Sequence, residues 1–216
     1  MIKQLLIAVL IGLSINLNSC VSYPGSDSII VANAKNYTNE GIQAYQNADW
    51  YRAQQLFLKA KLLYQSVDDQ QGILSSYTNL IEVALSTKDF KSAQNYLTLA
   101  SEMIIAPELN HFKNRINLLY SHLFILNKQY ARAEQQLQSL LPKFLGNEVE
   151  STTDDIQIAA IANRTKLAFL QEQEQELWTQ RYAKILSRDG SATPSMRARL
   201  LRFQALYLVK VTTGIN

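Results

Sequence analysis

The chain has 216 residues, of which 47% are hydrophobic and 18% are charged, and its net charge is +3 at pH 7. This length suits one ordinary domain with a substantial core. The near balance of 21 basic and 18 acidic side chains argues against nucleic acid as a partner, because phosphate binding needs a concentrated basic surface.

The first residues have the layout of a secretory signal peptide. Lys3 supplies the positive charge, and the run from Leu5 to Leu17 is mostly apolar but too short to span a bilayer comfortably. The only cysteine of the chain, Cys20, stands where this run stops. Because Cys20 is the single cysteine, any modification of its thiol would leave the chain without a thiol for a disulfide or a metal site.

The segment Leu17-Asn18-Ser19-Cys20 resembles the lipobox of bacterial lipoproteins, in which an aliphatic residue lies three positions before an acylated cysteine. The resemblance implies that residues 1–19 are cleaved and that Cys20 carries lipid such as palmitate. Residues 20–31, rich in small and turn-forming side chains, are predicted to be a flexible tether. Val21 stands where an Asp would retain an enterobacterial lipoprotein at the inner membrane, so we expect the outer membrane.

An internal repeat follows the tether. Ala53, Ala93 and Ala133 lie 40 residues apart, and an aromatic residue stands three positions before each of them. Fixed periods of this size indicate stacked supersecondary units. The residues that recur with the alanines are Trp50, Phe90 and Tyr130 before them and Phe57, Leu97, Leu137, Ala60, Ala100 and Leu140 after them.

Each unit is predicted to be a pair of helices. The apolar residues from Ala53 to Tyr64 recur at steps of three and four, which indicates an amphipathic helix. Polar residues 46–49 separate this helix from the preceding one. The alanines predict close packing of antiparallel helices, because a small side chain leaves room for its neighbour.

The pattern of Gly41, Tyr45, Ala53, Phe57 and Ala60 resembles the tetratricopeptide (TPR) motif. The resemblance covers residues 34–145 and implies an all-α, right-handed solenoid of antiparallel helix pairs. The TPR-like repeats would occupy residues 32–145, as three units whose matching positions lie 40 residues apart. The usual period is near 34 residues, so the helices or connections here are expected to be longer.

Residues 146–216 lose the register of the repeat. Ile156–Leu170 and Leu177–Leu186 are predicted to form a fourth, diverged helix pair, and Pro194 is predicted to start a last helix that caps the same solenoid. Asp68-Asp69 and Asp154-Asp155 precede predicted helices and suit helix capping.

The sequence offers little for catalysis. His111 and His122 would lie about 16 Å apart on one helix, which is too far for them to share a metal ion. Glycines are too scattered for a phosphate-binding loop, and no nucleophile elbow is present. We therefore expect no enzyme activity, no metal and no cofactor.

The TPR resemblance implies a groove lined by the first helix of each pair. The family's peptide clamp uses Lys and Asn where this chain has Thr38 and Ile42, so that clamp is absent. Apolar contact would instead hold an extended or helical peptide. The alternative is that the apolar members only pack within the stack. The groove residues implied are Thr38, Ile42, Tyr45, Gln46, Thr78, Glu82, Leu85, Leu118, His122 and Ile125.

These features predict a non-catalytic, lipid-anchored adaptor at the periplasmic face of the outer membrane. Its partner would be a protein or peptide of the envelope, in pilus, outer-membrane or cell-wall assembly. One alternative is a small-ligand or glycan receptor, or an enzyme, with a site in residues 146–216 near Trp178, Arg181, Tyr182 and Arg188. Another is a structural lipoprotein that contacts peptidoglycan.

Overall fold

A computed structural model describes residues 26–105, 107–142, 144–145, 148–149, 154–188 and 193–213. The predicted signal peptide and Cys20 lie outside these ranges. Within them the chain is almost entirely α-helical, which confirms the all-α prediction. None of the helices in these ranges has the length and hydropathy that a membrane span requires.

Nine α-helices, one 3₁₀ turn and one short β ladder make up the described elements. The ladder is antiparallel and pairs Phe144 with Val149. In chain order the elements are α1 (Ser26–Gln46), α2 (Trp50–Ser66), α3 (Gln70–Ser86), α4 (Phe90–Met103), the 3₁₀ turn (Pro107–Leu109), α5 (His111–Leu126), α6 (Tyr130–Gln138), β1 (Phe144–Leu145), β2 (Glu148–Val149), α7 (Asp155–Gln171), α8 (Gln175–Arg188) and α9 (Pro194–Thr213).

The 40-residue period is confirmed in the boundaries of the helices. The second helices α2, α4 and α6 begin at the recurring aromatic residues Trp50, Phe90 and Tyr130. Two residues before each start, the backbone is left-handed, with φ of 59° at Ala48, 61° at Lys88 and 58° at Lys128. In each turn the next N–H donates to a carbonyl five residues earlier, at 2.8–2.9 Å. The same tight turn therefore joins the two helices of every unit.

Aspartate side chains cap several of the helices. The carboxylates of Asp49, Asp69 and Asp89 accept hydrogen bonds from backbone N–H groups in the first turns of α2, α3 and α4. Asp154 and Gln157 form a reciprocal capping box at the start of α7. The predicted capping by the Asp68-Asp69 and Asp154-Asp155 pairs is thus confirmed at Asp69 and Asp154.

The first helices form a continuous inner row. Helix α1 contacts α3, α3 contacts α5, and α5 contacts α7, while α2, α4, α6 and α8 each pack against the first helix of their own pair. Ala53, Ala60, Ala93 and Ala100 have no exposed surface. The close helix packing predicted from these alanines is confirmed by their burial.

Apolar packing continues from the first helix to the last. One core cluster runs from Ala34 to Leu123, a second joins α5, α6 and α7, and a third joins α7, α8 and α9. Leu141 and Phe144 pack against the third cluster and connect it to the end of the repeats. Residues after 146 therefore share the core of the repeats through α7.

Helix α1 begins earlier than the sequence pattern suggests. It starts at Ser26, so residues 26–31 of the predicted tether are helical. Val31 packs against the first core cluster and Ala34 is fully buried. Apolar contact of these side chains extends the helix into a segment whose composition is typical of a linker.

The left-handed turns generate a prediction about stability. Lys88→Gly and Lys128→Gly should each raise the free energy of unfolding by about 0.5–1 kcal/mol, because glycine adopts positive φ without the steric cost that other residues incur. Lys35→Gly is the matched control, since Lys35 is exposed within α1, and it should lower stability by a similar amount. Urea denaturation of the three variants measures these changes; a loss of stability in Lys88→Gly would contradict the turn geometry.

At two positions where helices touch, an aromatic ring leaves no room for a side chain larger than that of glycine. A Cβ at Gly72 would lie 2.2 Å from the Tyr64 ring, and one at Gly41 would lie 2.5 Å from the Phe57 ring. Although alanine favours helices, Gly72→Ala and Gly41→Ala should each lower the free energy of unfolding by about 1–3 kcal/mol through overpacking. Thermal or urea unfolding tests this, and in a Tyr64→Leu background the cost of Gly72→Ala should shrink. An unchanged cost there would show that the ring is not the obstacle.

Candidate functional site

A groove of about 620 Å³ lies along the inner row of helices. Its lining residues come from α1, α3, α5, α7 and α9, and none comes from α2, α4, α6 or α8. The first helix of every pair thus contributes, and the unpaired last helix adds a further wall. A concave site of this volume lies within the range of known ligand sites.

Four of the ten residues predicted to face a groove line this one. They are Tyr45 on α1, Glu82 on α3, and Leu118 and His122 on α5. They come from all three repeat units, so the chain brings together side chains that are far apart in sequence. Their predicted role in binding a partner stays a prediction.

The other six predicted residues lie elsewhere. Thr78, Leu85 and Ile125 are buried in the packing between helices. The Thr38 hydroxyl donates to the carbonyl of Ala34 on its own helix, at 3.0 Å. Ile42 is 39% exposed and Gln46 is exposed at the end of α1, and neither lines the groove.

Sequence reasoning missed the walls contributed by α7 and α9. The lining residues of α9 recur at steps of three and four, and so do those of α7, which is the spacing of a single helix face. This spacing is the signal that could have found them, but the 40-residue register that assigned the other walls does not extend past residue 145. The residues missed include Arg115, Asn163, Lys166, Phe169, Leu170, Arg199, Arg202, Phe203 and Leu206.

One ion pair crosses the groove between neighbouring first helices. Nη2 of Arg115 on α5 lies 2.8 Å from Oε1 of Glu82 on α3. Burial raises the pKa of the Glu82 carboxyl, and the guanidinium groups of Arg115 and, to a smaller extent, Arg199 oppose that rise. Tyr45 is held at the same end by a 2.9 Å hydrogen bond between its hydroxyl and that of Ser86.

Three further cations line the groove. Lys166 on α7 faces Arg199 and Arg202 on α9, and among the residues that the structure describes no carboxylate lies within ion-pair distance of any of the three. Burial lowers the pKa of the Lys166 ammonium, and the charges of the two arginines lower it further. The groove therefore holds an excess of positive charge.

His122 lies in the groove as a neutral imidazole at pH 7. Burial lowers its pKa from 6.5 to about 4, and the charges of Lys166 and Arg199 act in the same direction. The second histidine, His111, is exposed at the start of α5, where Nδ1 lies 2.9 Å from the carbonyl oxygen of Glu108. Within the described ranges no three His, Cys, Asp or Glu side chains are grouped to hold a metal ion.

Apolar side chains form the remaining walls. Leu118, Leu119, Ala159 and Ala162 line the groove from α5 and α7. Phe169 on α7 stacks on Phe203 of α9, with ring centres 5.4 Å apart and planes inclined by 13°. Since apolar walls alternate with cationic side chains, the groove is suited to a ligand with both apolar and negatively charged parts.

Three of the four residues named for an alternative site after residue 146, Trp178, Arg181 and Tyr182, pack against other side chains and do not line the groove. Trp178 is 6% exposed, Tyr182 is fully buried, and Arg181 lies over the rings of Phe144 and Trp178, 4.3 and 4.8 Å from their centres. Arg188 is the last residue of α8.

Trp178 also takes part in a cluster that joins three helices. The guanidinium of Arg164 on α7 lies 4.7 Å from the centre of the indole ring, and its Nη2 is 3.0 Å from carboxylate oxygens of both Glu134 and Glu174. The indole N–H donates to the same Glu174 carboxylate. This cluster connects α6 and α8 to α7 and thereby stabilises the position of α7 in the inner row.

Comparison of the chain with protein-family models, with curated proteins and with solved structures gave no match.

The lowered pKa of His122 generates a prediction about pH. Between pH 6.5 and 4 the unfolded chain takes up a proton at this residue and the folded chain does not, so the free energy of unfolding should fall by up to about 3 kcal/mol as the pH decreases. Below pH 4 both states are protonated and the loss stops. His122→Gln lacks this dependence.

Urea denaturation of wild type and His122→Gln at pH 7 and pH 4 measures the effect, because other titrating groups, including Glu82, contribute to both proteins. Stability curves that run parallel over this range would show that His122 titrates normally.

Proposed function

We propose that the protein is a non-catalytic helical-repeat adaptor that holds a segment of an envelope protein in the groove along its inner row of helices. The observation that carries the proposal is the groove itself, which takes Tyr45, Glu82 and His122 from three successive repeat units. A binding surface assembled from several repeats is typical of solenoid proteins.

The finer architecture belongs to the same proposal. The 40-residue period, the shared turn and the buried alanines support a TPR-like, right-handed solenoid in which α7 and α8 form a diverged fourth pair and α9 is the capping helix. The lipobox-like segment before Cys20 supports a lipid anchor, with the folded part in the periplasm and the outer membrane as its site.

A second candidate function uses the same groove. Most of its lining residues come from α7 and α9, which lie in the diverged region after residue 146. A half-enclosed cavity of this size also suits a small molecule, so a small-ligand receptor is the alternative to an adaptor. Blocking the groove of an adaptor should abolish capture of a partner protein, whereas blocking the groove of a small-ligand receptor should leave protein capture unchanged.

Leu206 and Leu208 provide a matched pair for testing the adaptor. Both are on α9 and partly exposed, at 47% and 61%, but only Leu206 lines the groove. Leu206→Glu should reduce capture of the partner at least tenfold, because the new carboxylate blocks an apolar wall, while Leu208→Glu should capture as much as wild type. Crosslinking in the native cells followed by mass spectrometry measures the capture. Ile125 is unsuitable for this test because it is buried in the core.

Cys20→Ala is included to test the anchor. It should move the protein from the membrane fraction to the soluble fraction and reduce recovery of a membrane-proximal partner. Equal capture by Leu206→Glu and wild type would overturn the groove as the binding site, and membrane association of Cys20→Ala would overturn the lipid anchor.

A further inference from the structure

The groove contains a charge imbalance that its own residues do not neutralise. Arg115 is paired with Glu82, at 2.8 Å, so those two charges offset each other. Lys166, Arg199 and Arg202 have no carboxylate within ion-pair distance in the part of the chain that the structure describes. Glu82 also interacts electrostatically with Arg199, but it is the one carboxylate among the described residues that lines the groove beside Arg115, Lys166, Arg199 and Arg202, so positive charge remains in excess.

These cations are close enough to repel one another. The charges of Arg199 and Arg202 disfavour the protonated form of Lys166, and Lys166 and Arg199 both disfavour protonation of His122. Arg199 and Arg202 are exposed, so solvent screens their charges, and the free-energy cost of this repulsion in the empty protein falls mainly on the half-buried Lys166. An anion bound among them would remove that cost.

The apolar walls beside the cations also restrict which ligands fit the groove. Leu118, Leu119, Phe169 and Phe203 present apolar surface to the same cavity. A small inorganic anion would leave this surface exposed to water, and a purely apolar ligand would desolvate the cations without compensation. Only a ligand that carries both an apolar body and a negative charge satisfies the whole groove.

The head group that fits best is a carboxylate. It carries a single charge, so entry into a half-enclosed apolar cavity desolvates less charge than entry of a phosphate monoester would. It also accepts paired hydrogen bonds from a guanidinium.

We propose that the groove binds an apolar carboxylate, with the carboxylate among Lys166, Arg199 and Arg202 and the aliphatic or aromatic body against Phe169 and Phe203. This inference names the chemistry of the binding site on which the proposed function rests. The carboxylate has two sources: an acidic residue beside apolar residues in a partner polypeptide, or a free acyl or aryl carboxylate.

Arg197 makes the test specific. It lies on α9 with Arg199 and Arg202, all three are exposed, and Arg197 does not line the groove. Replacing exposed arginines with glutamine should leave the fold intact, so a change in ligand binding reports on the groove. The mature chain, from residue 20 onward and carrying Cys20→Ala, is used, since a protein without the lipid and the apolar signal segment needs no detergent that would compete for an apolar site.

Calorimetry and thermal unfolding with two pairs of probes measure the binding. The first pair is decanoate and decanol, and the second is a blocked peptide that alternates leucine with glutamate and its glutamine counterpart. We expect at least one anionic probe to bind tenfold or more tightly than its uncharged counterpart and to raise the melting temperature. Arg199→Gln/Arg202→Gln should weaken this binding at least tenfold, and Arg197→Gln should leave it unchanged. Higher salt should weaken it in the protein that carries Cys20→Ala alone.

The pattern of results separates this inference from the adaptor function. Preference for the glutamate peptide alone supports both, because the carboxylate then comes from a polypeptide. Preference for decanoate alone supports the carboxylate site and counts against the adaptor. Decyl phosphate is measured as a fifth probe to compare the head groups. Equal binding of charged and uncharged probes, no binding of either carboxylate probe, tighter binding of decyl phosphate than of decanoate, or equal weakening by Arg197→Gln would overturn the inference.

Discussion

Close approach of the two helices in each pair is the constraint on which the rest of the structure depends. Ala53 and Ala60 on α2, and Ala93 and Ala100 on α4, lie seven residues apart and are fully buried, so each second helix meets its neighbours through a row of small side chains. Gly41 and Gly72 serve the same purpose where aromatic rings approach the backbone. Because the second helices pack so tightly on one side, the first helices are free to contact one another and form the inner row. The groove follows from this arrangement, since its walls are the faces of the inner row that no second helix covers.

Cationic side chains on the two sides of the inner row differ in whether carboxylates neutralise them. Behind it, Arg164 is neutralised by Glu134 and Glu174 and stacks on Trp178, so its buried charge stabilises the junction of three helices. In front of it, Lys166 lies two residues further along the same helix and faces cations rather than carboxylates. The charge of Arg164 on one face of α7 is thus paired with carboxylates, although its Nη1 is buried without a hydrogen-bond partner, and the charge of Lys166 on the other face is not paired in this way. Uncompensated charge of this kind reduces stability and is characteristic of functional sites.

The sequence predicts the repeat and the caps at Asp69 and Asp154 because these depend on local chemistry: recurring aromatic residues, alanines at helical spacing and an aspartate directly before a helical pattern. It predicts the groove only in part. Helix α3 is buried on most of its circumference, so its apolar pattern does not indicate which face is inward, and Glu82 lines the groove while Thr78 and Leu85 do not. The predicted tether likewise gives way to helix at residues 26–31, where Val31 contacts the core. The wall from α9 depends on how the last helix packs on α7 and α8, which no local pattern specifies.

Helix α9 combines two properties that link binding to stability. In the described part of the chain its main packing partners are α7 and α8, and Leu201, Leu208 and Val211 remain about 60% exposed on its outer face. The packing of α9 against the rest of the protein is therefore limited, although its side chains form one wall of the groove. A ligand that contacts Arg199 and Phe203 on α9 and Leu118 on α5 adds contacts between α9 and the inner row to those that α9 makes with α7 and α8. Because such a ligand binds only when α9 is in place, part of its binding free energy goes into fixing that helix. Limited attachment of α9 thus makes the groove a site where occupancy and the order of the last helix are coupled.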